Sequence, residues 1–285
     1  MAIDYDRLMA RKFPERRHTY TRKDSILYAL GIGLGADPMD AGELRYVYED
    51  GLAAFPTMAV VLGYPGFWMK EPDSGIDWVR VVHGEQGLTL HAAVPAEGTV
   101  IGRTRITHVI DKGKDRGALV ITERTVTDAA NDTLIASIVH TTFCRSEGGF
   151  GGPAVASPSP HRLPETAPET HCDIATLPQA ALIYRLSGDD NPLHADPAVA
   201  KQAGFPRPIL HGLATYGVAA HAVMKTFCAM DPARLKGFDV RFSAPVYPGE
   251  TVRTEMWRSG DVVSFRARVL ERDVVVLNNG KAVVA

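Results

Sequence analysis

The longest apolar segment of the chain lies in its second half and has the pattern of a buried helix. Between His211 and about Phe227, apolar and small residues fall on nearly every side of a helix. A helix without a polar side is normally buried, and small residues let neighbouring elements approach closely. We therefore predict that this helix lies at the centre of a domain.

Eight other segments are typical of half-buried strands, because they are rich in β-branched residues, as in Leu134–Val139. They are predicted at 78–93, 98–110, 117–128 and 132–145 in the first half, and at 236–243, 250–258, 261–270 and 273–284 in the second. Shorter helices are predicted from Lys23 to about Leu34, opened by Asp24 or Ser25, over Thr176–Tyr184, and from Pro197 with Asp196 as N-cap.

A segment rich in glycine and proline separates the two halves. It begins with Gly148-Gly-Phe-Gly-Gly and continues to roughly Pro168 without any hydrophobic period, which is typical of a connector. We predict a degenerate N-terminal repeat at 1–147, a linker at 148–170, and a C-terminal repeat with the candidate site at 171–285.

Composition and charge narrow the class of protein. The 285 residues are 45% hydrophobic and 22% charged, which is ordinary for a globular protein. A net charge of −2 gives no general attraction to nucleic acid or an anionic membrane. No apolar run approaches the roughly 20 residues that cross a bilayer. The three cysteines fit neither a disulfide framework nor a zinc site, and we expect a cytoplasmic protein.

The candidate chemistry lies in the segment Tyr184–His194. It places a carboxylate, Asp189, five residues before an imidazole, His194, with Asn191 and Pro192 between them. Proline restricts its own backbone and that of the residue before it, and asparagine tolerates turn conformations, so a compact loop is predicted. A helix would separate residues five apart by roughly 140°, whereas a tight loop can direct both side chains at one water molecule.

An ordinary turn followed by a helix is the simpler interpretation of this segment. Local structure accounts for Asp196 and Pro197 at the start of the next helix. It does not account for Asp189 and His194, because a turn needs only one or two of the polar residues present.

The segment resembles the Gly-Asp-x-Asn-Pro-x-His signature of MaoC-like dehydratases, the (R)-specific enoyl-CoA hydratases. From Tyr20 to Val284 the chain is similar to the two-repeat hydratase region of peroxisomal multifunctional enzyme type 2 and its bacterial relatives. The matching segments are Tyr28–Gly33, Tyr48–Glu49, Phe55–Thr57, His83–Gln86, Asp111–Gly113, Gly148–Gly152, Pro208–Leu213, Arg241–Gly249 and Thr254–Trp257.

The resemblance implies a double hot dog of the α+β class, in which each repeat wraps an antiparallel sheet around a long helix. The first half has no equivalent of the signature, so one active site per chain is expected. Homodimerisation is expected by the same analogy. The implied ligand is an acyl-CoA thioester, with no metal and no cofactor other than the CoA of the substrate.

The implied reaction is reversible hydration of trans-2-enoyl-CoA to the (3R)-hydroxyacyl-CoA. Asp189 and His194 would share and activate one water, which Asn191 helps to position. Gly212 would polarise the thioester carbonyl, because amide groups at a helix start lack intrahelical partners. Packing of the helix on the sheet is the alternative role for Gly212, and packing or capping is an equal alternative for His211.

Other positions are assigned only through the resemblance, which implies acyl-CoA contacts for His83, Gly84, Lys112, Asp190, Pro192, Leu193 and Phe242. Lys112 would meet a CoA phosphate, unless it is simply a solvated turn lysine. Asp190 stands where relatives often have an aromatic residue; it either raises a neighbouring pKa or points to solvent. Glu49 is expected to support the site across the interface between the repeats.

Two other classes of function remain open. A hot-dog thioesterase would use a carboxylate in the same fold, although the intact loop of Asp189, Asn191 and His194 argues against it. A non-catalytic subunit would lack this loop. Acyl-chain length is not determined, and medium, long or bulky sterol side chains all remain possible.

Overall fold

The computed structural model describes residues 3–153 and 155–285; positions 1, 2 and 154 (the last inside the predicted linker) lie outside the described residues. The helices are α1 (Tyr5–Met9), α2 (Arg22–Gly31), α3 (Ala41–Leu44), α4 (Ala180–Tyr184), α5 (Pro197–Gln202) and α6 (Gly212–Phe227). The strands are β1 (Arg16–Tyr20), β2 (Val81–Leu90), β3 (Gly98–Asp111), β4 (Ala118–Asp128), β5 (Leu134–Cys144), β6 (Thr170–Ala175), β7 (Leu235–Phe242), β8 (Thr251–Ser259), β9 (Val262–Val269) and β10 (Val274–Val284).

All ten strands form one antiparallel sheet in the order β1-β3-β4-β5-β2-β7-β10-β9-β8-β6. Counted from each outer edge, the first half runs 1-3-4-5-2 and the second runs 6-8-9-10-7, which is the same topology twice. The halves join where β2 pairs with β7, from Glu85 opposite Arg241 to Thr89 opposite Gly237. The chain is therefore an internal duplication with a continuous sheet.

The central helix of the second half is α6, and it is buried as its sequence predicts. Its residues from Ala214 to Met224 are all buried, and its neighbours include β6, β7, β8 and β10. Small residues allow the close approach: a Cβ added at Gly217 would lie 2.5 Å from Cγ2 of Ile32, just after α2. Burial of this apolar helix ties the two halves into one core.

The first half departs from the expected long helix. Its counterpart of α6 is one six-residue 3-10 segment, Pro56–Val61, followed by loops and short 3-10 turns as far as Arg80. The sequence explains this, because Gly63, Pro65, Gly66 and Pro72 interrupt any helical pattern. The expectation of a long helix in each repeat is thus correct for the second half and wrong for the first.

Element boundaries differ from the predictions mainly where side chains cap or break helices. The helix α2 begins one residue earlier than predicted, because Thr21 and Asp24 form a reciprocal capping box. The predicted helix over Thr176–Tyr184 is shortened to α4, since Pro178 lies inside its first turn. Strands β1 and β6 were not predicted, because each is short and has only one buried apolar residue, Tyr20 in β1 and Ile174 in β6.

The predicted linker contains no helix or strand at its described positions between 148 and 169. The strand β6 begins at Thr170, close to the predicted start of the second repeat. Among the helices that the structure describes, none is both long and apolar enough to span a lipid bilayer.

Candidate active site

Polar side chains build the loop that precedes α5. Oδ1 of Asp189 accepts the N–H of Asn191 at 3.3 Å, and Oδ1 of Asn191 accepts the N–H of Leu193 at 3.1 Å. The second bond caps the 3-10 turn Pro192–His194. The turn buries His194 and leaves Asp189 exposed at the mouth of the site. Asn191 therefore orients the imidazole through the backbone.

The ring of His194 is held in one tautomer. Its Nδ1 lies 2.9 Å from the carbonyl oxygen of Ile209, which can only accept, so Nδ1 carries the hydrogen and Nε2 has a free lone pair. Burial lowers the pKa of His194 below 6.5, against the opposite effects of the Ile209 bond and the Asp189 charge. The neutral, proton-accepting form is therefore present at neutral pH.

His211 connects three parts of the site. It is the N-cap of α6, its Nε2 donates to the backbone carbonyl of Asp189 at 3.1 Å, and its ring stacks on His194 with centroids 3.7 Å apart. Burial, and then the nearby His194, lower the pKa of His211 to about 3. His211 is therefore a neutral support for the loop.

The side chains of Asp189, His194 and His211 lie close together in the site. One ligand-type atom each from Asp189, His194 and His211 lie within 4.8 Å of one another. A water with hydrogen bonds of about 2.8 Å can contact two groups at that separation. The set also contains ligand types for a divalent metal. Nε2 of His211 already bonds the Asp189 carbonyl, and Nδ1 of His194 bonds the Ile209 carbonyl.

Gly212 is the first residue of α6, so its N–H has no partner within the helix. The space beside it is narrow, since a Cβ added there would lie 3.2 Å from Cε1 of Phe242. This amide lies next to His211 in sequence and hence close to Asp189 and His194, which we call the dyad. It can donate to a thioester oxygen.

The structure brings His83 and Phe242 together beside Gly212. Their ring centroids are 4.4 Å apart, and His83 also stacks on His140 at 3.8 Å. A bulge in β2 between His83 and Glu85 makes Gly84 the irregular residue, with a virtual Cβ 3.3 Å from the Thr141 carbonyl. Burial, and then His140, place the pKa of His83 well below 6.5.

Lys112 lies in the hairpin between β3 and β4, four strands from β7, or roughly 19 Å at about 4.8 Å per strand. Its Nζ donates to Oγ of Ser157 at 3.2 Å. The carboxylate of Asp111 accepts the N–H groups of Gly113, Gly149 and Gly151 at 2.7–2.8 Å. These bonds hold the glycine-rich segment against the hairpin.

An open cleft of about 480 Å³ results beside the hairpin, and both of its cationic lining residues, Lys112 and Arg116, belong to the hairpin. Sequence reasoning did not single out Arg116. The sequence feature that could have identified Arg116 is its position in a cluster of basic residues with Lys112 and Lys114.

Glu49 is the residue that the structure does not bring to the site. It is exposed, and its carboxylate has no hydrogen-bond or ion-pair partner among the described residues. The glutamate that bridges the halves is Glu43, which is buried and accepts from His221 at 3.1 Å and Lys225 at 2.7 Å. Glu43 thus bridges the two halves at the C-terminal part of α6, and its partners are too distant in sequence to be predicted. A supporting role for Glu49 stays a prediction.

The remaining loop positions differ in exposure. Asp190 and Pro192 are exposed and Leu193 is half-buried. A second, small cleft of about 130 Å³ adjoins the loop at Leu186, Ser187 and Gly188, and its other lining residues belong to the first half.

The chain matches models of two families. Residues 18–146 match the MFE-2 hydratase 2 N-terminal domain, and residues 160–279 match the MaoC like domain. "Probable enoyl-CoA hydratase 2" of Dictyostelium discoideum is 37% identical over 295 residues, covering 100% of this chain and 97% of that protein.

Solved structures of MaoC-like proteins have the same fold as this chain. A MaoC-like dehydratase from Phytophthora capsici superposes with a TM-score of 0.88 at 33% identity, covering 99% of this chain and 98% of that one. A Mycobacterium tuberculosis protein described as a double hotdog fold has a TM-score of 0.57 at 17% identity, covering 99% and 98%. The expected double hot dog is thereby confirmed.

Proposed function

Since this chain belongs to the MaoC-like family of type 2 enoyl-CoA hydratases, we propose that it hydrates trans-2-enoyl-CoA reversibly. The product is the (3R)-3-hydroxyacyl-CoA, in fatty-acid or related acyl-CoA metabolism. The proximity of Asp189 and His194, which each have one ligand-type atom within 4.8 Å of the other, supports this proposal more than any other observation.

The proposed reaction begins with a water molecule shared by Asp189 and His194. His194 accepts one of its protons at Nε2, while the carboxylate of Asp189 accepts a hydrogen bond from the other and orients the oxygen toward C3. The oxygen forms a bond to C3 as the electrons of the double bond move toward the thioester. A proton is then delivered to C2 from the dyad, so that the elements of water are added and both side chains regain their starting state.

Negative charge develops on the thioester oxygen during this addition. The N–H of Gly212 donates to that oxygen, supported by the positive end of α6. Asn191 keeps the turn in place, and His211 keeps the loop and the His194 ring in register. The reaction as proposed uses no cofactor, because CoA is part of the substrate.

The CoA moiety is proposed to run from Gly212, past His83 and Phe242, toward the hairpin that contains Lys112. These positions lie at the same end of the sheet, since β3 and β7 end there and β2 begins there. Lys112 and Arg116 are the cations available for its phosphates. Asp190, Pro192 and Leu193 would flank the acyl group as it leaves the dyad.

Pure protein and crotonyl-CoA or decenoyl-CoA test the proposal. Loss of absorbance at the enoyl band without free thiol is the expected result, whereas release of CoA thiol would identify the thioesterase alternative. Asp189→Asn and His194→Gln should each lower kcat by about 10²–10⁴-fold. Asp196→Asn is the matched control, because asparagine is an equally good N-cap for α5.

Turnover close to that of the parent in both variants would refute the assignment of the dyad. Homodimeric assembly and a cytoplasmic location stay predictions from the sequence. Light scattering of the pure protein and cell fractionation test them.

A further inference from the structure

The inner face of the first-half sheet has a polar band between two apolar clusters. On β4, Val126 belongs to the main core and Val120 to a second cluster near the N-terminus. Arg124 and Thr122 lie between them on the same face, because alternate residues of a strand share a face. We call Thr104, Thr122, Arg124, His140 and Thr142 the polar band; strand pairing sets them side by side on β3, β4 and β5.

Arg124 is a buried cation in this band. It is 7% exposed, and no carboxylate pairs with it among residues 3–153 and 155–285. One terminal nitrogen donates to the carbonyl of Val60, and the guanidinium lies 5.6 Å from the ring centroid of Tyr64. Burial lowers its pKa to about 10, so it stays charged at neutral pH. An unpaired buried charge is costly, which suggests that a ligand completes it.

Several polar atoms of this region lack partners. Nε of Arg124, Oγ1 of Thr104 and Nε2 of His83 are buried without a hydrogen bond among the described residues. Such atoms are rare in native proteins and often mark the position of water or ligand. The neighbouring imidazole does not supply a counter-charge, since burial, and then Arg124, lower the pKa of His140 to about 4. The band is therefore rich in donors and has no anion.

The band adjoins the candidate active site. His140 stacks on His83, His83 contacts Phe242, and Phe242 lies against Gly212. Tyr64 links the band to the dyad by a second route. Burial and the charge of Asp189 raise its pKa, and the charge of Arg124 opposes them, so Tyr64 lies within electrostatic range of both.

The loop that contains Tyr64 is held firmly in place. Gly63 approaches Gly102 so closely that a Cβ at Gly102 would lie 2.1 Å from the Gly63 carbonyl oxygen, and its N–H donates to Nδ1 of His18 at 3.1 Å. The short segment Pro56–Val61 replaces the long helix that covers the second half. The inner face of β4 and β5 is thus covered by a short 3-10 segment, where α6 covers its counterpart in the second half.

We propose that Arg124 binds a carboxylate on the acyl group, so that the preferred substrates are enoyl-CoA thioesters of dicarboxylic acids. This inference rests on the proposed hydratase function and names its substrate class. From β4 to β7, where Phe242 lies against Gly212, is three strand spacings, about 14 Å, so the acyl group extends from Asp189 and His194 across the sheet. Arginine suits this ligand, because its planar fork matches a carboxylate in two hydrogen bonds.

The first experiment compares matched substrates on the parent protein. Each pair has one trans-2-enoyl-CoA with a methyl end and one of equal length with a carboxyl end, over a series of medium chain lengths. We expect kcat/KM for the carboxylate to exceed that of its methyl partner by about 10-fold or more at the best length. A ratio near or below one at every length overturns the proposal.

A binding measurement keeps this test independent of turnover. Titration calorimetry with the saturated acyl-CoA pairs should show the same preference for the carboxylate end. A preference in binding supports the Arg124 assignment even if hydration itself failed, and equal or weaker binding of the carboxylate contradicts it. The two proposals can therefore fail separately.

Substitutions of Arg124 test whether this residue is responsible for the preference for a carboxylate end. In Arg124→Gln the ratio of kcat/KM within each substrate pair should collapse toward one, whereas Arg124→Lys should keep part of it. Arg105→Gln is the matched control, since Arg105 lies on the neighbouring β3, is exposed and pairs with Glu123. If Arg124 had only a structural role, Arg124→Gln would lower kcat/KM for both substrates alike and leave their ratio unchanged. That result would contradict the proposal. If Arg124→Gln does not fold, the kcat/KM ratios measured on the parent protein still decide whether the carboxylate is preferred.

Discussion

Replacing Gly212 by alanine separates an oxyanion role of this residue from a role in helix packing. Gly212 is not at a positive φ, so alanine adopts its backbone conformation without strain. Alanine is also the better helix former, by up to about 1 kcal/mol in a helix interior. The free energy of unfolding should therefore stay within about 1 kcal/mol of that of the parent, because the gain in helix propensity offsets the close contact with Phe242.

Activity should behave differently. The new methyl group would lie 3.2 Å from Cε1 and 3.5 Å from Cδ1 of Phe242, tighter than ordinary contact, and would fill the gap through which a thioester oxygen reaches the amide. Loss of one oxyanion donor typically lowers kcat by about 10²–10³-fold, or 2.7–4 kcal/mol of barrier. We expect kcat/KM for crotonyl-CoA to fall by about 10²-fold.

The assay combines enoyl-band absorbance with thermal unfolding of the same samples. The double variant Gly212→Ala with Phe242→Leu distinguishes two causes of a loss. Recovery of activity would indicate that displacement of the Phe242 ring caused it, whereas no recovery indicates that the methyl blocks the amide itself. If Gly212→Ala retained kcat/KM within about threefold of the parent, the thioester oxygen would not reach the amide through this gap, and the expected steric block would be wrong.

Three further predictions concern pH, stability and binding. Because burial lowers the pKa of His194 and its neutral form is the base, kcat/KM should be constant above pH 6.5 and fall only below it; an acid limb centred above 6.5 in the pH profile would contradict this. Burial raises the pKa of Glu43, but the hydrogen bonds from His221 and Lys225 outweigh it and bring that pKa from 4.5 to about 2, so the stabilisation by Glu43 is complete above pH 4.5 and is lost toward pH 2. Glu43→Gln should cost roughly 3 kcal/mol in urea unfolding at pH 7 and almost nothing near pH 2; an equal cost at both would refute the linkage. Lys112→Ala should raise KM several-fold without changing kcat, less so at high salt, while Lys114→Ala in the same hairpin should change neither; equal effects of both would exclude a specific phosphate contact.

Local chemistry explains what the sequence could predict. Residues that determine structure through their immediate neighbours were identified: the buried helix α6, the cap of α5 at Asp196, and the turn between Asp189 and His194. The alternation of apolar and polar residues was also sufficient to locate most of the strands, because a half-buried strand has one apolar and one polar face. Eight of the ten strands were therefore expected within a few residues of their bounds.

Contacts between distant residues were not predictable in the same way. The bond from His221 to Glu43 joins residues 178 apart, and no local pattern marks either as a partner. The same holds for His211, whose packing and supporting roles were left equal until its bonds to the loop were known. Arg124 reads as an ordinary polar residue of a half-buried strand until the pairing of β4 places it between two apolar clusters.

The duplication itself explains why only one half can hold the proposed site. Phe55 caps the segment Pro56–Val61 in the first half, just as His211 caps α6 in the second. The residue after the cap is Pro56 in one half and Gly212 in the other. Proline has no N–H and therefore cannot donate to an oxyanion, and phenylalanine cannot hydrogen-bond a catalytic loop.

The two halves thus share one topology but differ at the two adjacent positions where the chemistry depends on a backbone donor and an imidazole. A short 3-10 segment also has too few aligned peptides to develop the dipole of a sixteen-residue helix. In place of a long helix, the short segment Pro56–Val61 lies over β2 and β5, and its Val60 carbonyl accepts a hydrogen bond from Arg124. This division of roles accounts for a polar, donor-rich face in the half that lacks the signature.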